Sequence, residues 1–207
     1  NTDNATVCGG TTNTAGNGIN NDRAFVGGGA FNTASGLESV VVGGSINSAT
    51  GPNTTVGGGE NNIASGNDST VSGGDGNTAS GDYSTVVGGL AALADKYGQR
   101  SYAAGLFATQ GDAQASEFIV RNNTTDATPT ELKLDGATAG LRMVVPNNTS
   151  WIFSMLLVAR RSTGTTSIYK SEGQIENTGG AVTASAVTTT EINDGIGLPV
   201  TPVTVAA

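Results

Sequence analysis

Between residues 26 and 105 apolar side chains are sparse but regularly placed. Val41, Val56, Val71 and Val86 recur every 15 residues, and so do Ala34, Ala49, Ala64, Ala79 and Ala94. Glycine pairs keep the same beat at Gly28-Gly29, Gly43-Gly44, Gly58-Gly59, Gly73-Gly74 and Gly88-Gly89, and single glycines at Gly36, Gly51, Gly66 and Gly81. Between them run a polar column, Asn32, Asn47, Asn62 and Asn77, broken by Ala92, and a hydroxyl column, Ser39, Thr54, Ser69 and Ser84. The unit reads G-G-x-x-N-x-A-S-G-x-x-S-x-V-x. An imperfect copy precedes it (Gly9-Gly10, Asn13, Ala15, Gly16), and at the far end Gly98, Ser101, Ala103 and Gly105 stretch the period to 16. Degenerate end copies mark the boundaries of a solenoid.

Each unit holds two short β-compatible stretches, around Ser-x-Val and Asn-x-Ala, separated by glycine-bearing turns. Alternate positions of a strand face the same side, so Val and Ala share the interior of stacked coils. The glycines suit left-handed turn conformations that a Cβ would penalise. An asparagine repeated once per coil suits a ladder of side chains that satisfies turn backbone groups. With only two or three inward apolar side chains per coil, burial at ~25 cal/mol per Å² yields a few kcal/mol, against ~1–2 kcal/mol of backbone entropy per residue. Packing of identical solenoids side by side, over the remaining Val, Ile63 and Ala surfaces, is therefore expected.

The pattern changes near Gly111. Only eight of the 32 glycines follow it, and six of the nine basic residues do. Candidate strands are Glu117–Arg121, Glu131–Asp135, Leu141–Val145, Trp151–Arg161, Ser167–Glu176, Ala181–Ile192 and Val200–Val205. Turn signals at Pro129, Asp135-Gly136, Pro146-Asn147, Gly179-Gly180 and Asn193-Asp194-Gly195 separate them. Several short strands with regular turns predict an antiparallel sandwich or barrel. Trp151–Ala159 is apolar on both faces, which predicts a central strand. Two domains follow: β-roll repeats over 1–111 and an all-β domain over 112–207. The apolar end Val203–Ala207 suggests further strands beyond it, and a start at Asn1 without Met reads as a fragment or mature product.

Composition narrows the function classes. The chain has 207 residues, 32 glycines, no histidine, one cysteine, 13% charged residues and a net charge of −8. Without a basic stripe to displace phosphate counterions, nucleic acid is not an expected partner. The longest apolar run, Trp151–Ala159, is far short of the ~20 residues of a membrane helix, so no membrane insertion is expected. Cys8 alone forms no framework within one chain.

Candidate chemistry is thin. Glycosidases need two carboxylates across a sugar-sized cleft, but Glu38, Glu60, Asp68, Asp75 and Asp82 fall on the variable turn positions of the repeat. No histidine is present to serve as the base of a nucleophilic triad. Gly73-Gly74-Asp75-Gly76 starts like a calcium nonapeptide repeat, but Thr78 replaces the acid and the period is 15, not nine. Glycine runs such as Gly27-Gly28-Gly29 lack the following Lys-Ser/Thr of a phosphate loop. Thr55, Thr70 and Thr85 stack, but Val40 interrupts this column and no second Thr column runs beside it, against ice binding. The reading is a non-enzyme without cofactor or metal. Tyr83, Tyr97, Tyr102 and Phe107 offer sugar-stacking surfaces or packing at the solenoid end.

Residues 26–111 resemble the head repeats of YadA-like trimeric autotransporter adhesins, which also occur in bacteriophage tail fibres. The copies V-G-G-G-E-N-N-I-A-S-G-N-D-S-T (56–70) and V-S-G-G-D-G-N-T-A-S-G-D-Y-S-T (71–85) carry the likeness. The resemblance implies a left-handed parallel β-roll, trimeric, with coils stacked along a fibre axis. Glu117–Asp135 followed by a Trp-containing strand ending in Ala-Arg-Arg resembles β-modules of phage structural proteins. The implied function is a structural and adhesive segment of a homotrimeric virion fibre that positions or forms a host-attachment surface. Its partners would be two further copies, other virion or appendage proteins, and a host surface glycan. The alternatives are a bacterial trimeric surface adhesin and a glycan-cleaving tailspike.

Overall fold

A computed structural model describes residues 4–18, 23–124, 130–137, 141–160, 164 and 166–194, all of it strand, turn and loop. It divides into two compact units, Asn1–Met143 and Val144–Ala207. The change of composition at Gly111 falls inside the first, because the segment after it folds back onto the last coil.

The first unit is a parallel β-solenoid. It begins with β1 (Thr6–Val7), β2 (Thr14–Ala15), β3 (Phe25–Val26), β4 (Thr33–Ala34), β5 (Val40–Val41) and β6 (Ser48–Ala49). The pattern continues through β7 (Thr55–Val56), β8 (Ile63–Ala64), β9 (Thr70–Val71), β10 (Thr78–Ala79), β11 (Thr85–Leu90) and β12 (Leu93–Ala94). It closes with β13 (Arg100–Ala104) and β14 (Gln114–Glu117). Odd-numbered strands to β13 form one sheet, with β14 added at its end, and even-numbered strands to β12 form the other. Register is strict: Val26, Val41, Val56, Val71 and Val86 pair in line, as do Ala34, Ala49, Ala64, Ala79 and Ala94. A third line of single bridges joins Ala30, Ser45, Glu60, Asp75 and Leu90.

Two glycine columns are required by close approach. A Cβ on Gly66 would lie 2.3 Å from Gly81 O, and one on Gly59 would lie 2.1 Å from Gly74 O. By contrast, the first glycine of the pairs, such as Gly58 at φ +144°, faces open space and answers only a backbone demand. Positive φ is not confined to glycine. Phe31, Ile46 and Asn61 stack in one left-handed turn column, and Glu38, Asn53, Asp68 and Tyr83 in another.

The C-terminal unit is one antiparallel sheet in the order β15 (Thr149–Arg160), β16 (Thr166–Thr178), β17 (Ala181–Asp194). These match three of the expected strands. Trp151–Ala159, expected at the centre, lies instead in β15 at the edge of the sheet. Its second apolar face is exposed among the described residues. A sandwich or barrel was expected, and the described residues form a single layer. The expected strands before residue 146 reduce to one bridge, Arg121 to Lys133. There side chains compete for the backbone: Arg121 Nη2 donates to Asp135 O, Asn122 Nδ2 to Glu131 O, and Leu141 N to Asp135 Oδ1. Val200–Val205 lies outside the described residues.

Candidate functional surfaces

Of the recurring columns, the Val, Ala, Asn, Ser/Thr and single-glycine positions lie inward, while the glycine pairs stay partly or fully exposed. Val41, Val56, Val71 and Val86, with Ala34, Ala49, Ala64 and Ala79, are fully buried. Asn32, Asn47, Asn62 and Asn77 are equally sealed, beside Ser39, Thr54, Ser69 and Ser84. A buried amide needs its partners, and each asparagine has them. Asn62 Nδ2 donates to Gly58 O at 2.9 Å and Gly74 O at 2.8 Å, while its Oδ1 accepts from Asn77 N at 3.0 Å. The same pattern runs from Asn13 through Asn32 and Asn47 to Asn77, whose Oδ1 accepts from Ala92 N at 2.8 Å. Ala92 N–H therefore donates the last bond of the ladder, and its methyl side chain extends it no further. The column is architectural: each side-chain amide joins its own turn to the next coil, and each asparagine backbone N–H reaches back to the coil before.

Where the asparagines stop, glutamines take over. Gln110 Nε2 donates to Gly76 O and Ala92 O. Gln114 accepts from Leu93 N at 2.8 Å and donates to Leu93 O at 2.8 Å, so its amide takes the place of the next strand beside β12. Gln99 Oε1 accepts from Asp95 N and Lys96 N. Strand β14 pairs antiparallel with β13 and covers the edge of the other sheet. Both sheet edges are thus closed at this end, as exposed edges otherwise invite further strands. Reading the repeat alone missed this cap. The available signal was that three of the chain's four glutamines fall between residues 99 and 114.

The capping segment turns on Asp112. Its Oδ1 accepts from Phe107 N at 2.9 Å, and its Oδ2 from Ala108 N at 2.7 Å and Thr109 N at 2.8 Å. The amides of Thr109, Phe107 and Ala108 hold its pKa below the usual aspartate range. The turn so fixed presents Phe107 at 88% exposure. Tyr83 and Tyr97 meet edge to face, with ring centres 5.2 Å apart. Tyr102 lines a shallow groove of about 360 Å³ with Val87, Ala115 and the ion-paired Arg100 and Glu117. These aromatics stand on the last coils of the solenoid and on its cap.

None of the candidate carboxylates lines the groove at Tyr102. Glu38 pairs with Arg23, Asp68 accepts from Asn53 Nδ2, and Asp82 accepts from Asn67 N. Glu60 and Asp75 stand one coil apart on the exposed line of bridges. Among the described residues no three His, Cys, Asp or Glu side chains gather as a metal site, and no helix is long and apolar enough to cross a membrane. Comparison with protein-family models, curated proteins and solved structures found no match. The parallel β-solenoid itself fits a fibre-like or adhesin-like structural role.

Proposed function

We propose that this chain is a structural and adhesive segment of a homotrimeric fibre, of the kind virions carry as tail fibres, that positions or forms a host-attachment surface. The carrying observation is the uninterrupted asparagine ladder inside the solenoid. Each coil adds about 4.8 Å along the stack, set by the strand spacing, and each is bonded to the next through backbone and side chain alike. Such a unit supplies reach and stiffness, while its outward positions are free to vary. The aromatics on the last coils are the best-placed candidates for contact with a host glycan, since rings and a paired Arg and Glu offer stacking and hydrogen bonds together.

Sedimentation equilibrium on the full chain tests the assembly. A mass near three times 20.4 kDa supports the reading, and a folded single-chain mass at every concentration overturns it. A glycan array probed with the same material tests attachment. Binding that weakens on Tyr102→Ala supports an adhesive role, and no binding to any glycan removes the glycan partner.

A further inference from the structure

The C-terminal sheet carries an apolar surface that the described residues leave uncovered. On β15, Ile152 is 92% exposed, Leu156 64% and Val158 57%. Register places them on one face, opposite Gln174, Lys170 and Ile168 of β16. The polar residue between them, Ser154, donates to Glu172. Isolated exposed hydrophobes are ordinary, but a contiguous stripe on a strand marks an interaction site. We propose that this face and edge of β15 form the surface through which copies of this chain associate.

Three observations favour a copy of the chain over a foreign partner. The first is charge. The whole chain carries −8, yet the charged residues that register assigns to this face are Arg160, Lys170, Glu172 and Glu176, two of each sign (+2 − 2 = 0). An identical copy meets no net repulsion here, and a strongly charged partner gains little.

The second is the edge. Strand β15 pairs with β16 over twelve consecutive residues with no bulge, and it has no proline and no charge from Thr149 to Ala159. Unpaired edges in native sheets are normally blunted by charges, prolines or bulges. The opposite edge, β17, shows such devices: its register shifts twice, Ala186 sits at φ +51°, and Glu191 interrupts it.

The third is the missing second layer. A lone three-stranded sheet is marginal unless its faces are packed, and the described residues leave the Ile152 face bare while Tyr169, Ser171 and Ile175, on the opposite face by register, are buried. The inference rests on the assembly reading above for the number of copies, not for the place of the contact.

The test is light scattering after size exclusion on the full chain, comparing the parent with Ile152→Lys and, as a milder change that keeps strand propensity, Ile152→Thr. At 92% exposure either change is nearly neutral for one chain. The expected result is a trimeric parent, a single-chain mass for Ile152→Lys with an unchanged far-UV circular dichroism spectrum, and association weakened at least tenfold for Ile152→Thr. If Ile152→Lys unfolds, Ile152→Thr decides. Parent-like assembly of a folded variant overturns the contact and leaves the trimer intact. A monomeric parent overturns both.

Discussion

The solenoid and the C-terminal sheet solve the same problem in opposite ways. In the solenoid each inward Val, Ala and Asn is sealed by the coil before it and the coil after it, within one chain. In the sheet of β15 to β17, paired along its plane, Ile152, Leu156 and Val158 are left exposed among the described residues. Few hydrophobes per coil led us to expect that solenoids need one another. Within one chain the Val and Ala columns are already sealed, and the apolar residues left outside are Phe31 and Ile46, stacked in one turn column, with Leu37, Val42, Ile63 and Val87 among others. A repeat of very small side chains closes its own core because glycine lets adjacent coils touch. The sheet has larger side chains and fewer neighbours to cover them.

This contrast breaks first at the glycines. Gly66→Ala places a Cβ 2.3 Å from Gly81 O, where only a shift of whole coils gives relief. A loss of about 4 kcal/mol or more is expected in chemical denaturation. Gly58→Ala meets nothing closer than 3.9 Å, so only backbone strain remains, about 1–3 kcal/mol. Equal effects at the two sites would refute the role assigned to close approach.

Next in size is the ladder. Asn62→Ala leaves Gly58 O and Asn77 N without their partners, while Gly74 O keeps the Glu60 N–H, and at about 1–3 kcal/mol for each unsatisfied group less partial hydration, about 3 kcal/mol is expected. Asn13→Ala, at the first and more open rung, should lose about 1 kcal/mol, because water replaces the amide there. Denaturant midpoints of the two variants check the ratio, and a larger loss at Asn13 would contradict a ladder sealed from within.

These columns are also where the fold was legible in the residues. Periodicity works when each copy faces the same surroundings, and the inward positions of stacked coils do. Asn62, Ala64, Gly66, Ser69 and Val71 recur because the next coil constrains each of them, while the side chains of Glu60 and Asn61 face solvent and vary. What periodicity could not show was the end of the stack, where Gln110 and Gln114 each act once. The same limit applies beyond Gly111. An apolar run such as Trp151–Ala159 reads as central whether a neighbouring strand or another molecule covers it. Short stretches such as Glu131–Asp135 looked like strands until side chains claimed their backbone.

The sheet has its own tight glycine, and it should prove more forgiving. A Cβ on Gly173 would lie 2.9 Å from Val187 Cγ2 and 3.0 Å from Val187 Cα, at the bulge of β17. A bulge on an edge strand yields more readily than a stack of coils, so Gly173→Ala should cost about 2 kcal/mol, about half the effect of Gly66→Ala in the same denaturation experiment. A larger effect would mean that β17 is held as firmly as the solenoid.

The finest distinction is electrostatic. Asp112 is held below its usual pKa by backbone amides of the solenoid cap, and Glu172 by the Lys170 ammonium, then the Ser154 hydroxyl, on the sheet. A carboxyl whose folded pKa is lowered adds stability that is complete above its unfolded value, about 4, and that fades as pH falls through the lowered one. Both contributions therefore disappear on the acid side. Salt should separate them. The Lys170–Glu172 pair is exposed and screened, whereas the amides around Asp112 carry no mobile charge. In side-chain carboxyl titrations followed by NMR, 0.5 M NaCl should move the Glu172 midpoint back toward the ordinary glutamate value and leave that of Asp112 in place. The Phe107, Ala108 and Thr109 amide shifts should follow the Asp112 titration and lose their acid transition in Asp112→Asn. If salt moved both midpoints alike, the cap would rest on general electrostatics and not on its three fixed N–H groups.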